Sequence, residues 1–102
     1  MKSRVVVHLK MKPEAEGGRH APFTEGYRPH FVIPPDGEYL GVTTIQCPGP
    51  VAPGDEVDVE FHLDYHPRVD YSALQVGTQF EMREGPRAVA TGRIERRFDD
   101  VV

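Results

Sequence analysis

The sequence predicts an all-β domain, a six-stranded antiparallel β-barrel of Greek-key type. Three observations carry that prediction. Apolar and polar residues alternate with a period of two, and helical periodicity is absent nearly everywhere. Ten Gly and ten Pro, about a fifth of the chain, break helices repeatedly and suit short strands joined by tight turns. Five Phe and four Tyr supply the bulk a packed core needs.

The elements follow in order. Residues 4–11 read as a strand, 31–33 as a second and 40–47 as a third. Residues 55–63 give the clearest pattern. Val57, Val59, Phe61 and Leu63 point one way, and Asp58, Glu60 and His62 the other, as in a half-buried antiparallel strand. Residues 79–83 follow, with Phe80 and Met82 inward. The last strand spans 87–97, where Gly92 marks a bend or bulge. Turn clusters at 12–18, 34–37, 48–54 and 84–86 separate the strands. Only 71–76 suits a helical turn. No repeat and no linker interrupts the chain, so residues 1–102 are expected to form one domain. At 11.5 kDa it can bury roughly 60–70% of its unfolded surface, enough for one modest core.

Charge and composition narrow the function. The net charge is −4, so the chain as a whole gives no support to nucleic-acid binding, although a local basic face stays open. Nine of twelve cations are Arg, which favours planar recognition of phosphate or carboxylate. The single cysteine, Cys47, excludes an internal disulfide and the CxxC zinc patterns. The N-terminal apolar run, Val5 to Val7, is too short for a signal peptide, and no stretch approaches the ~20 apolar residues of a membrane span. A cytoplasmic protein without a membrane partner is the expectation.

Catalytic motifs are missing. The chain has no Gly-Lys pair, hence no phosphate-cradling GxxxxGK[ST] loop, and no GxSxG, HExxH or GxGxxG. His62 and His66 are four apart, but His62 lies on a strand and His66 precedes Pro67, so helical metal-ligand spacing does not apply. Cys47 has no local feature that lowers its pKa and reads as an inert thiol. No enzyme activity, metal or cofactor is expected.

The informative stretch runs from Glu14 to Phe31. Gly17-Gly18 makes a tight turn or lets two backbones approach. Arg19-His20 places two donors at one spot, and Phe23 and Tyr27 bracket Gly26, a bend with an aromatic on either side. Arg28-Pro29 sets an extended entry into the next strand, so Arg28 should project from the barrel rim. Either this loop plugs one end of the barrel, or it forms a ligand-contacting edge.

From Glu16 to Phe31 the chain reads E-G-G-R-H-x-P-F-x-x-G-Y-R-P-x-F. Pro53-Gly54-Asp55 precedes the alternating strand, and Phe80-x-x-Arg83-Glu84-Gly85-x-Arg87-x-Val89-x-x-Gly92 stands near the end. These three ordered motifs, within residues 4–98, resemble the C-terminal barrel domain of the elongation factor Tu family. The resemblance implies the same six-stranded barrel. In the family that barrel follows a GTPase domain and a second barrel; this chain resembles only the third part, so GTP hydrolysis does not carry over. The family barrel contacts the T stem of aminoacyl-tRNA, the exchange factor and the GTPase domain. The resemblance places T-stem contacts at Arg28, at His30 (Gln in the family) and at Glu84 and Gly85. Arg19, His20, Tyr27, Arg83 and Arg87 complete the candidate RNA- or partner-binding set.

The departures weaken an RNA footprint. The family's Arg-Thr-Thr-Asp segment is replaced in Phe31-Val32-Ile33-Pro34-Pro35-Asp36, which removes an Arg, and Gly-Gly becomes Gly85-Pro86, which removes a backbone donor. The expected function is a stand-alone, non-catalytic binding module making protein–protein contacts in a translation-related setting. The alternative is an RNA-binding module for tRNA-like stems. Its partner-facing surface also leaves self-association open.

Overall fold

A computed structural model describes residues 3–99. Met1, Lys2 and residues 100–102, which the 1–102 domain assignment takes in, lie outside the described residues. Six strands form: β1 (Arg4–Met11), β2 (His30–Val32), β3 (Leu40–Gln46), β4 (Glu56–Leu63), β5 (Gln79–Glu84) and β6 (Arg87–Phe98). They close as β1-β4-β3-β2-β5-β6, every pair antiparallel. Hairpins join β2 to β3 to β4, and β1 returns beside β4, which is the Greek-key order. Among the described residues, closure leaves every strand with a neighbour on both sides.

Alternation is the cause. Val5, Val7, Leu9 and Met11 of β1, Val59, Phe61 and Leu63 of β4, and Phe80 and Met82 of β5 are all buried. Phe31 of β2 sits at the centre, edge-on to Phe61 at 4.9 Å and stacked on Phe80 at 4.1 Å. Burying one such side chain contributes roughly 1.5–3 kcal/mol. The long β4–β5 connection fills one end with Tyr71 and Leu74. The buried Tyr71 hydroxyl donates to Gly41 O at 2.6 Å and accepts from Tyr65 N.

Two local expectations are corrected. Residues 71–76, expected to suit a helical turn, form isolated turns that do not propagate; Leu74 N donates to Tyr71 O, and Asp70 accepts from Ser72 N. The one described helical element is a 3₁₀ turn at Glu14–Glu16. Gly92 is not a bulge. The register shifts leave Val89 and Glu95 of β6, and Ile45 of β3, as the extra residues. Gly92 instead gives way to the Phe80 ring: a Cβ there would lie 2.5 Å from Phe80 Cζ and 3.1 Å from His8 O.

Candidate functional site

The chain between β1 and β2 is tied down across one mouth of the barrel. Gly17, at φ 95°, turns the chain back, and Gly18 N donates to Pro13 O at 3.0 Å. Phe23 exchanges two backbone hydrogen bonds with Val51. Gly26 N donates to Thr44 O, and Thr44 N to Tyr27 O, each at 2.8 Å, so the approach to β2 already runs beside β3. The bend at Gly26 does not separate its aromatics, because Phe23 and Tyr27 stack at 4.6 Å.

The alternation that buries Phe80 and Met82 brings Glu84 to the same mouth. Tyr27 Oη donates to Glu84 Oε2 at 2.5 Å. Arg19 pairs with the same carboxylate and lies over the Tyr27 ring, 4.5 Å from its centroid. Arg87 stands 3.5 Å from Glu84 Oε1. Burial pushes the Tyr27 hydroxyl up to about 12, against the opposing pull of Arg19 and Arg87. This group locks the loop as a plug.

A second group occupies the outer face of β5, β2, β3 and β4. Arg83 and Gly41 flank His30 in register. Tyr39 lies edge-on to His30 at 5.7 Å, and its hydroxyl accepts from Arg83 Nη1 at 3.0 Å. Arg83 also donates to Glu81 at 2.5 Å. Gly41 makes room for another ring, since a Cβ there would lie 2.7 Å from Tyr65 Cε2. Arg28 is 64% exposed and 3.6 Å from Asp64 Oδ2; the Asp64 carboxylate is nearly buried and accepts from the Thr43 hydroxyl at 2.7 Å.

The sequence-identified residues therefore divide. Arg19, Tyr27, Glu84 and Arg87 converge at the mouth, with Gly85 (φ 58°) in the adjoining turn. Arg28, His30 and Arg83 lie on the outer face. Arg19 and His20 do not share a spot: the chain bends at His20, Arg19 turns to Glu84, and His20 reaches out to Glu14 at 2.7 Å. Arg28 faces a carboxylate, that of Asp64. Sequence reading missed Tyr39 and Tyr65, which are 45% and 47% exposed. Their signal is an aromatic residue just outside a strand's alternation, in Tyr39 after the Pro- and Gly-rich run 34–37 and in Tyr65 two residues before Pro67.

Cys47 meets a carboxylate, Glu25 Oε2 at 3.4 Å, and burial together with that contact raises its pKa, the reverse of an activated thiol. Among the described residues no group of three His, Cys, Asp or Glu is arranged to hold a metal ion. No helix among them is long and apolar enough to cross a membrane. Compared with known families, residues 2–96 match the family described as the elongation factor Tu C-terminal domain.

Proposed function

This chain belongs to the elongation factor Tu C-terminal domain family, and from that premise we propose that it is a non-catalytic binding module acting through protein–protein contact in a translation-related setting. The family domain is a translation-factor barrel without catalytic activity of its own; GTP hydrolysis belongs to a different domain. One observation carries the choice of protein over RNA. The cations of the candidate set are already matched by carboxylates: Arg19 and Arg87 by Glu84, Arg83 by Glu81, and Arg28, more loosely, by Asp64. Phosphate binding draws its energy from cations that release counterions, and neutralised cations contribute little of it. On the outer face Tyr39 stands half-exposed against Arg83, and Tyr65 half-exposed over Gly41, next in sequence to the Asp64 that Arg28 faces. Tyr and Arg are the residues enriched at protein hot spots.

The working face is thus Arg28, His30, Tyr39, Tyr65 and Arg83. A photo-crosslinking side chain at position 28 or 39, expressed in the source cell, tests this. Adducts should be protease-sensitive and nuclease-resistant, and a crosslinker at Lys10, on β1 across the barrel, should give none of them. Nuclease-sensitive adducts, or tRNA binding that weakens steeply with salt and with Arg28→Ala, would replace the protein reading by an RNA one.

A further inference from the structure

The outer face of β1 carries Arg4, Val6, His8 and Lys10, the positions alternating with buried Val5, Val7, Leu9 and Met11. Beside it, β4 presents an acidic stripe in register: Glu60 opposite Val6, Asp58 opposite His8 and Glu56 opposite Lys10. Arg4 Nε donates to Glu60 Oε2 at 2.7 Å. Among the described residues, His8 alone has both ring nitrogens against carboxylates. Nδ1 lies 2.7 Å from Asp58 Oδ1, and Nε2 lies 2.8 Å from Glu56 Oε2. A neutral imidazole has one donor and one acceptor nitrogen, whereas a carboxylate only accepts. Neutral His8 would therefore set a lone pair against one carboxylate. The imidazolium donates to both.

We propose that His8 is a pH-responsive clasp on the β1–β4 seam: as an imidazolium it ties β1 to the acidic stripe of β4, and on losing its proton to solvent it releases one carboxylate. The other neighbours carry both signs. Lys10 stands next along β1. Arg93 of β6 is in register with His8 and pairs with Glu95 at 2.6 Å. Gln79 of β5 lies in register with Arg93, and Glu81 one outward position further along. Lys10 and Arg93 oppose a third positive charge, but the two carboxylates are at hydrogen-bonding distance and prevail. The bond to Glu56, then that to Asp58, hold the His8 pKa above its usual 6.5, and the same contact holds Glu56 below its usual value. A raised folded pKa means the contribution is complete below about 6.5 and is lost as pH rises through the folded value. The clasp is solvent-accessible, so salt weakens it and its effect stays local to the seam.

Nuclear magnetic resonance on the intact chain tests this. The His8 ring should titrate above 6.5, and Glu56→Gln combined with Asp58→Asn should return it to the ordinary value. Amide protection of β1 and β4, corrected for intrinsic exchange, should fall about two- to five-fold as pH rises through the His8 titration. His8→Lys keeps the cation and should flatten that dependence, while β2–β5 amides should not respond in any variant. A His8 titration at or below 6.5, or the same seam dependence in His8→Lys as in wild type, would overturn the proposal.

Discussion

Replacing Glu84 by alanine removes the acceptor on which the mouth of the barrel converges. Three terms set the cost. The half-buried Tyr27 hydroxyl loses its acceptor, which costs about 1–3 kcal/mol for an unsatisfied polar group. Arg19 loses a pair whose side chains are 20% and 28% exposed; such a pair lies at the top of the surface range, at about 1 kcal/mol. Arg87, 49% exposed and 3.5 Å away, adds close to nothing. The sum is about 2–4 kcal/mol, a large share of the ~5–15 kcal/mol that holds a small domain together. It corresponds to a fall in Tm of roughly 10–30 °C. Urea denaturation followed by circular dichroism should show a lower midpoint at an unchanged m value. Tyr27→Phe alone should cost less, about 1 kcal/mol, because Arg19 still satisfies Glu84. The double variant should then be less than additive by about 0.5–3 kcal/mol. A Glu84→Ala protein within about 0.5 kcal/mol of wild type, or strict additivity with Tyr27→Phe, would refute the plug.

Two further substitutions probe the barrel itself. Phe61→Ala deletes a fully buried ring that meets Phe31 edge-on, and should cost about 3–5 kcal/mol; a variant melting like wild type would remove the closed core. Gly92→Ala places a methyl 2.5 Å from Phe80 Cζ, with the His8 backbone behind it, and should cost about 1–3 kcal/mol. Phe80→Leu in the same chain should recover part of that urea-midpoint loss, and no recovery would mean the strain lies elsewhere.

What the sequence determined by itself is what neighbouring residues can express. The alternation in 55–63 placed Val59, Phe61 and Leu63 in the core, because side chains on a strand have a period of two whatever lies beyond it. Each strand starts and stops within a residue or two of its expected bounds, since Pro and Gly punctuate the chain locally. The motifs around Arg28 and Glu84 reached the family for the same reason, being contiguous runs. Tertiary structure decided which carboxylate each cation meets. Tyr27 and Glu84 are 57 residues apart, and Arg19 and Glu84 are 65 apart. Only the antiparallel register of β2 on β5, with the loop folded over the mouth, brings them together. Arg28 shows the same limit: Pro29 predicts its projection, but Asp64 stands opposite because β3 sits between β2 and β4. Gly92 was legible as an exception and not as to its cause. The atom that excludes a side chain there belongs to Phe80 on the neighbouring strand. Period and punctuation act along the chain; ion pairing and close packing act across it, and closing the barrel makes those contacts.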